Sequence, residues 1–304
     1  MTVGNIFRLV LLLPLAPALA QEVSRFTVAT YNVKNYLVEA LSNRKAKPLE
    51  ARERVQQTLL HARADVVVLQ EMGRVAALRD LSDALRRGGL EYSHQILMDG
   101  RDSAIRLALL SRFPITRTLS HTNDQFLIEG RRQWVRRGFL EAEIAVNEDY
   151  HFTLLAAHLK SKFQVPYARE QDIRKKEAAL LRSKVVKILD QDPRANLVVI
   201  GDLNDTPDST AVRTVMGRGT QRLFDPKPGE WTFMDGQFVI ERPDVKWTYY
   251  YPAGGAYSRV DYVLMSNGMK REWEPKASSI VGLSYWLEAS DHRLVQIGFG
   301  AVDE

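Results

Sequence analysis

The sequence feature that most constrains the fold is the stretch ANLVVIGDLNDTPD, residues 195–208, where an apolar run ends abruptly in polar side chains. Residues 197–200 are apolar and mostly β-branched, which is typical of a strand buried on both faces. Gly201 allows another backbone or a ligand to approach closely. Asp202 and Asn204 would point to the same side if the extended conformation continued. A single Gly-Asp pair is more often a turn that ends a strand, so the other strand ends decide between the two interpretations.

Other predicted strands are also bordered by side chains that bind metals or transfer protons. Asp261 lies inside the apolar run 260–265, an unusual position for a carboxylate without a partner. The residues at the strand ends are Asn32, Glu71, His158, Asp291 and His292. Each alone is better explained as a structural residue, but a functional site explains the whole set better than chance does.

The hydrophobic periodicity predicts an alternation of strands and helices in the first ninety residues, followed by consecutive strands in the segment 92–146, at residues 105–110 and 138–146. Apolar residues at helical spacing predict a helix over residues 49–62, a long basic helix from about 167 to 189, and a short helix over 209–216. The chain has 304 residues, is 45% hydrophobic and has no internal repeat or low-complexity linker. One large domain over residues 21–304 is therefore the favoured organisation.

The first twenty residues have the pattern of a secretory signal peptide. Arg8 precedes an apolar run, and Ala18-Leu19-Ala20 has the small-x-small form of a cleavage site, which predicts removal after Ala20. The alternative is an uncleaved membrane anchor, but Pro14 and Pro17 interrupt a run that is already shorter than the roughly 20 residues of a spanning helix. We therefore expect export without stable membrane insertion.

Cysteine content and charge narrow the cellular setting and the partners. The chain has no cysteine, so it forms no disulfide and uses no thiol chemistry. A secreted or periplasmic bacterial protein fits both this composition and the leader. Removal of the leader, which contains Arg8 and no acidic residue, reduces the formal charge from +5 to +4. This mild positive charge is compatible with a polyanionic ligand but does not establish one.

The residue types at the strand ends also limit the reaction. Carboxylate and amide oxygens without cysteine favour a hard cation, Mg²⁺ or Mn²⁺, over zinc. Two histidines among them suit proton transfer and anion binding. The sequence contains no GxSxG, Walker glycine loop or HExxH motif. Hydrolysis of a phosphate ester by metal-assisted, in-line attack is the chemistry that these groups serve best.

Basic residues near the predicted site are candidates for binding the substrate. They are Arg131, Arg132, Arg136 and Arg137, in a segment predicted to be a polar loop, with Lys160 and Lys162 after His158. The arginines could bind phosphates, but a solvated loop is an equally good interpretation. Aromatic residues are dense over 231–257, where core packing or cross-strand pairing is more common than stacking on bases.

Six short motifs together resemble a known family. YNVKN, LQE, AAHLKS, GDLND, SRVDYVL and SDH occur in this order between residues 31 and 292 and are similar to those of the endonuclease/exonuclease/phosphatase superfamily typified by deoxyribonuclease I. The resemblance covers nearly the whole chain after the leader. It implies a four-layer α/β/β/α sandwich of two mixed β-sheets, with helices outside and the site at one edge of the sheets.

The same resemblance implies a role for each motif residue. Glu71 is expected to be the principal metal ligand, with Asn32 beside it and Asp291 nearby. Asn204 and His158 are expected to hold non-bridging phosphate oxygens, and Asp261 to hold His292. Either Asp202 or His292 could be the base that activates the water. The leaving-group acid also stays open, because residues 130–137 show no clear counterpart of the acidic residue or tyrosine that deoxyribonucleases place opposite the first histidine.

Three functions remain as hypotheses. The first is an exported, Mg²⁺-dependent nuclease that hydrolyses nucleic acid, and the second is a hydrolase of small-molecule or lipid phosphates. The sequence contains no long hydrophobic hairpin of the kind that bacterial sphingomyelinases insert into membranes, which makes a lipid substrate less favoured. The third is a binding protein that keeps the fold without catalysis, which would need a broken motif position, and none is found.

Overall fold

The computed structural model describes residues 24–234 and 237–303, so the predicted signal peptide, residues 1–20, lies outside the described residues. Within these ranges the chain forms seventeen strands and six α-helices. The strands are β1 (Arg25–Tyr36), β2 (Val66–Met72), β3 (His94–Met98), β4 (Arg106–Ser111), β5 (Ile115–His121), β6 (Gln125–Ile128), β7 (Arg131–Trp134), β8 (Phe139–Ala145), β9 (His151–His158), β10 (Leu197–Asp202), β11 (Glu230–Met234), β12 (Gln237–Arg242), β13 (Tyr249–Tyr251), β14 (Ala256–Ser258), β15 (Asp261–Met265), β16 (Trp273–Gly282) and β17 (Val295–Gly300). The helices are α1 (Leu49–Ala62), α2 (Val75–Arg87), α3 (Glu170–Gln191), α4 (Thr210–Met216), α5 (Asn267–Glu272) and α6 (Trp286–Ala289).

Two mixed sheets contain most of the strands. The first sheet has eight strands in the order β12-β11-β16-β17-β1-β2-β4-β3, and the second has five in the order β15-β10-β9-β8-β5. Each sheet contains a parallel pair, β1 with β2 and β9 with β10, with antiparallel neighbours on either side. Parallel strands end at the same edge of their sheet. Each sheet therefore brings two adjacent strand ends to one edge.

The inner faces of the two sheets pack against each other, and helices cover both outer faces. Phe26 of β1 stacks on Phe152 of β9 with ring centroids 5.1 Å apart, which joins the two sheets. On the outer face of the first sheet, Leu59 of α1 lies in a second buried cluster, and Leu181 of α3 lies in a third on the outer face of the second sheet. The layers are helix, sheet, sheet, helix, which confirms the predicted α/β/β/α sandwich.

The helices agree closely with their predicted bounds. α1 covers the predicted residues, and α4 begins after Ser209, whose hydroxyl accepts the N–H of Val212 at 3.1 Å as an N-cap. The long basic helix begins at Glu170 instead of about residue 167, because Val165 and Ala168 form an isolated β-bridge just before it. Within the described residues, no helix is both long and apolar enough to span a membrane.

The segment before β8 differs from the prediction of an irregular, arginine-rich loop. Residues 125–134 form the β6–β7 hairpin, with Glu129 and Gly130 at positive φ in its turn. Arg131 and Arg132 therefore lie in a strand, while Arg136 and Arg137 follow it. Strand β5 was also not predicted, because it is an exposed edge strand without the alternation of apolar and polar residues that a half-buried strand shows.

Candidate active site

Three neighbouring strands of the second sheet place three titratable side chains next to one another. Asp202 at the end of β10 is paired in register with His158 at the end of β9 and with Asp261 at the start of β15. Paired residues of adjacent strands direct their side chains to the same face of a sheet. All three residues are buried. The strand register therefore assembles the centre of the site.

The expected close approach at Gly201 is confirmed. Gly201 adopts φ +137°, and an added methyl group would overlap the carbonyl oxygen of Ala157 on β9. Residues other than glycine rarely adopt this backbone conformation, so the position requires glycine. This close contact brings the end of β10 against the end of β9, next to Asp202 and His158.

Asp202 connects the two sheets at the site. Its Oδ2 accepts a hydrogen bond from Asn32 Nδ2 of β1 at 3.0 Å and lies 3.5 Å from His158 Nε2. The same oxygen lies 3.9 Å from His292 Nε2. Burial raises the pKa of Asp202 above the usual range of a carboxyl group, although the nearby His292 acts in the opposite direction. A carboxylate with a raised pKa accepts a proton more readily near neutral pH than an exposed aspartate does.

His292 and Asp261 form the hydrogen-bonded pair that the sequence predicted. His292 Nδ1 donates to Asp261 Oδ2 at 2.9 Å, and Thr248 Oγ1 accepts the backbone N–H of Asp261 at 3.1 Å. Burial lowers the pKa of His292, but the charges of Asp261 and Asp202 outweigh it and raise this pKa well above its ordinary value. His292 therefore holds a proton on both ring nitrogens at neutral pH, and Nε2 can donate to a phosphate oxygen.

Tyr249 is a member of the site that the sequence analysis missed. Its ring packs on the His292 ring with centroids 4.6 Å apart, and the two residues also form an isolated β-bridge. Burial raises the pKa of Tyr249 to about 12, and three carboxylates act in the same direction, those of Asp291, Asp202 and Glu71. In the sequence it is one of three consecutive tyrosines, so no local signal distinguishes it.

His158 is a neutral imidazole. Its burial, followed by the positive charges of Arg137, His292 and Arg44, lowers the pKa of His158 well below the ordinary value. Arg44 follows β1 in the chain and Arg137 precedes β8, so the two arginines whose charges act on this histidine come from loops that belong to different sheets. Arg137 belongs to the predicted basic set, whereas Arg44 was missed.

Asn204 corrects one expectation from the sequence. The extended conformation does not continue past Asp202, because Asn204 adopts φ +55° and its backbone N–H donates to Asp202 Oδ1 at 2.8 Å. The spacing of two therefore produces a tight turn in which the Asp202 side chain bonds the backbone two residues later. Asn204 Nδ2 donates to the Leu159 carbonyl at 3.0 Å, which joins this turn to the loop after His158.

Strands β1 and β2 bring a second group of oxygens to the site. Asn32, predicted at the end of its strand, lies inside β1, which continues to Tyr36. Asn32 Oδ1 accepts the N–H of Lys34 at 3.0 Å, and Glu71 Oε2 accepts the N–H of Asn35 at 3.0 Å. Glu71 adopts φ +63°, where the pairing of β2 with its neighbours is irregular. Asp291 Oδ2 lies 3.4 Å from Lys34 Nζ. Both carboxylates are only half-buried, unlike Asp202 and Asp261.

Two buried charges on α3 support the loops of the second sheet and were also missed. Glu177 accepts the backbone N–H of Lys160 at 2.6 Å, and Arg174 Nη1 donates to the Lys160 carbonyl at 2.8 Å. Arg174 Nε also donates to Asp205 Oδ2 at 2.9 Å. The pair thus joins the loop after His158 to the turn after Asp202. Charged residues on the apolar face of a predicted helix were the available signal.

The matching family model, "Endonuclease/Exonuclease/phosphatase family", covers residues 29–292. The chain belongs to this family. No relative with a curated description matches the sequence. The resemblance seen in the sequence motifs is therefore confirmed, and the chain is a metal-dependent hydrolase of phosphate esters.

Solved structures with the same fold belong to diverse members of the Endonuclease/Exonuclease/phosphatase family. Truncated TDP2 of Caenorhabditis elegans has a TM-score of 0.61 at 17% identity, covering 91% of this chain and 98% of that one. Sphingomyelinase C of Streptomyces griseocarneus has a TM-score of 0.60 at 17% identity, covering 90% and 99%. The catalytic domain of human Nocturnin, with bound sulfate, has a TM-score of 0.60 at 16% identity, covering 90% and 94%.

The site has the oxygen donors that the family's divalent metal requires. The charges of three carboxylates, those of Asp291, Asp202 and Glu71, all raise the pKa of the Tyr249 phenol. Negative charge is therefore concentrated around this side chain. Asn32, Glu71 and Asp291 are oxygen donors of the kind that hard cations prefer. A cation bound there neutralises the charge that develops on a phosphate during hydrolysis.

A second possible metal group overlaps the histidine pair. Ligand atoms of Asp202, Asp261 and His292 all lie within 4.8 Å of one another. However, His292 Nδ1 is already bonded to Asp261 Oδ2 at 2.9 Å, and Asp202 Oδ2 already accepts from Asn32 Nδ2 at 3.0 Å, so these ligand atoms are occupied by protein partners. This buried group suits proton handling better, and the half-buried oxygens suit the metal better.

The predicted substrate-binding residues lie at different depths. Arg131, Arg132 and Lys162 are exposed, and Arg132 Nη1 donates to Gln125 Oε1 at 3.2 Å across the hairpin. Arg136 is also exposed, with Nη2 3.6 Å from Asp102 Oδ2. These four side chains lie on the surface, where a role in substrate binding stays a prediction.

Arg137 and Lys160 are tied to the loop after His158. Arg137 Nη1 donates to the Leu159 carbonyl at 3.0 Å. Lys160 Nζ donates to the Ser161 carbonyl at 2.9 Å and also to the Phe163 carbonyl. Both cations thus shape the backbone beside His158.

Proposed function

We propose that this protein is an exported, divalent-metal-dependent phosphodiesterase that hydrolyses nucleic acid by in-line attack of water. The observation that carries this proposal is that two arginines from loops of different sheets are attached to the site. Arg137 Nη1 donates to the Leu159 carbonyl beside His158, and Arg44 Nη1 donates to Asn35, whose N–H bonds Glu71. A phosphodiester in a nucleic acid chain has charged neighbours on either side, and arginines from both sheets suit such a chain better than an isolated phosphate monoester.

In the proposed mechanism, Asp202 orients the attacking water and accepts its proton. The raised pKa of Asp202 supports this role, while His292 already holds protons on both nitrogens and is unsuited to be the base. Asn204 and His158 bind the non-bridging oxygens of the phosphate as charge develops on them. His292 Nε2 donates to the phosphate and transfers a proton to the departing oxygen. Asn32, Glu71 and Asp291 would hold the cation, Mg²⁺ or Mn²⁺.

We also propose that residues 1–20 direct export to the periplasm or the exterior of a bacterial cell and are removed. The pattern of Arg8, the apolar run and Ala18-Leu19-Ala20 supports this. Expression of the full chain in a bacterial host, followed by cell fractionation and N-terminal sequencing, tests it. A product that begins at Gln21 and leaves the cytoplasm is expected, whereas an intact N-terminus in the cytoplasm would contradict it.

Nuclease activity is tested directly with residues 21–304. Plasmid DNA, single-stranded DNA and RNA are incubated with the protein and Mg²⁺ or Mn²⁺, with EDTA in parallel. We expect metal-dependent cleavage of at least one nucleic acid. The Asp202→Asn protein, purified in the same way, controls for contaminating nucleases. Absence of cleavage with every nucleic acid and metal would refute the proposed substrate class.

A lipid or small-molecule phosphate is the second candidate. The fold similarity to sphingomyelinase C of Streptomyces griseocarneus and the exposure of Phe163 and Leu127, at 80% and 63%, support a lipid surface as the substrate. Sphingomyelin and phosphatidylcholine vesicles, with a panel of phosphomonoesters, test this alternative under the same metal conditions. Faster turnover of any of these than of nucleic acid would favour it.

A further inference from the structure

A strongly basic cavity of about 480 Å³ lies beside the metal side of the active site. Four cationic side chains line it, those of Lys34, Arg44, Lys45 and Lys47. The acidic residue in its wall, Glu288, already pairs with Arg54, whose Nε lies 2.8 Å from Glu288 Oε2. The cavity therefore combines several positive charges with little local compensation.

Lys47 is the most informative of these cations because it is buried, with only 8% of its surface exposed. Its Nζ donates to the carbonyl of Lys34 at 3.2 Å, and its backbone N–H donates to the Leu37 carbonyl at 2.8 Å. Among the described residues, no carboxylate lies within 4 Å of this ammonium group. A buried ammonium without a direct counter-ion is costly, so an anion that entered the cavity would gain a positioned partner.

The charge of Lys47 persists at neutral pH. Burial and the positive charge of Lys34 lower the pKa of Lys47 to about 8, while Asp291 and Glu71 act in the opposite direction.

The cavity borders the candidate metal ligands. Asn35, in its wall, donates its N–H to Glu71 Oε2 at 3.0 Å, and Lys34 Nζ lies 3.4 Å from Asp291 Oδ2. Arg44 Nη1 donates to Asn35 Oδ1. An anion in the cavity would thus lie beside the candidate metal ligands, on the side of β1.

We propose that this cavity is a second phosphate subsite, which binds the phosphate adjacent to the scissile phosphodiester. The inference rests on the proposed phosphodiesterase function and narrows its substrate class to esters with at least two phosphates, such as a 5′-phosphorylated dinucleotide. Lys47 and Arg44 provide the specificity: Lys47 supplies a buried charge, and Arg44 supplies a planar group able to bind two phosphate oxygens.

Kinetics with paired substrates test the subsite. The residue 21–304 protein is assayed with Mg²⁺ on dinucleotides that carry or lack a terminal phosphate at each end. We expect at least a tenfold preference in kcat/KM for one phosphorylated form, and at least a fivefold loss of that preference in Lys47→Met and in Arg44→Gln. Lys187→Met, which removes one exposed charge from α3, is the matched control and should keep the preference. Equal rates on all dinucleotides would overturn the subsite.

A binding measurement separates failure of the subsite from failure of the proposed function. Inorganic phosphate is titrated calorimetrically into the protein in EDTA, so that metal-dependent binding does not contribute. We expect Lys47→Met to weaken binding at least fivefold and Lys187→Met to leave it unchanged.

If no dinucleotide is cleaved but this loss is found, the anion site stands and the nuclease proposal fails. If phosphate binding is absent, or equal in the wild type and in Lys47→Met and Arg44→Gln, the subsite is wrong whatever the activity. Thermal unfolding of each variant detects a folding defect. If Lys47→Met has such a defect, the phosphate binding of Arg44→Gln decides whether the subsite exists.

Discussion

The proposed proton-handling half of the active site and its proposed metal-binding half hold their side chains in different ways. Asp202, Asp261 and His292 are buried and interact side chain to side chain, with His292 Nδ1 2.9 Å from Asp261 Oδ2. Glu71 and Asp291 are half-exposed, and their partners are a backbone N–H of Asn35 and the flexible side chain of Lys34.

This difference indicates which half is organised before any ligand binds. In the first half, strand register and burial fix geometry and protonation, because each titratable group faces another at a defined distance. In the second half, Asp291 pairs with Lys34 at 3.4 Å, and a bound cation would complete the arrangement. Changes in the first half should therefore affect the chemical step, and changes in the second should affect the metal requirement.

The largest effect is expected from Asp202→Asn. Asparagine has nearly the same shape but cannot accept the proton of the attacking water, so kcat should fall by about three or more orders of magnitude. His292→Ala should also abolish turnover, with the fold retained. Steady-state kinetics with saturating Mg²⁺ measure the loss, and circular dichroism monitors the fold. Near-normal turnover of either variant would place the catalytic centre elsewhere.

A smaller but more specific effect is expected from Asp261→Asn. The charge of Asp261 raises the pKa of His292, so its removal lowers that pKa and His292 loses its proton at lower pH. The alkaline limb of the kcat/KM profile should move to lower pH, and kcat should fall by about 10- to 100-fold. Profiles of the two proteins measured side by side check this. An unchanged alkaline limb would mean that His292 does not supply the proton.

The metal-binding half is tested by Glu71→Gln. Loss of one carboxylate should raise the Mg²⁺ concentration needed for half-maximal rate by about tenfold or more, with partial recovery of kcat at high Mg²⁺. The position of the pH limbs at saturating metal should stay unchanged, because the Asp261 pair is intact. Metal titrations at fixed substrate provide the measurement. If Glu71→Gln instead shifted the limbs of the pH–rate profile strongly and left the metal requirement unchanged, the assignment of the two halves would be reversed.

The smallest catalytic effect is expected on α3, where two arginines form a matched pair. Arg174→Gln removes contacts to Lys160 and Asp205 and should lower kcat by about 10-fold, because the loops that carry His158 and Asn204 lose a support. Arg182→Gln removes contacts to the Met216 and Gln221 carbonyls, distant from the site, and should keep kcat near that of the wild type.

Thermal unfolding separates stability from positioning in this pair. Both arginine substitutions remove hydrogen bonds to backbone carbonyls, so both should lower the melting temperature. Arg174→Lys should recover little activity, because one ammonium group cannot reproduce the two directed contacts of the guanidinium group. Equal losses of kcat in Arg174→Gln and Arg182→Gln would indicate that α3 affects activity only through stability.

Much of this architecture could be predicted because the relevant signals are local. The apolar run at residues 197–200 predicted a buried central strand, and the periodicity of residues 49–62 predicted α1 with its observed bounds. Polar residues that interrupt or end apolar strands identified Asp261 and the other motif residues, because a buried carboxylate needs a partner. Strands β5 and β7 were missed because most of their residues are polar and exposed, and β6 was missed because its apolar run, Phe126 to Ile128, is only three residues long.

The sequence by itself determined which side chains reach the edge of the sheets, since strand length and the position of glycine are encoded locally. Only the tertiary structure decided which of them meet. Tyr249 packs on His292, the charges of Arg44 and Arg137 act on His158, and Lys47 is buried beside Lys34, although these partners are far apart in the chain or indistinguishable from surface residues in the sequence. Their proximity depends on how two sheets pack face to face, and so do the protonation states of Asp202 and His292, because burial and neighbouring charges set each pKa.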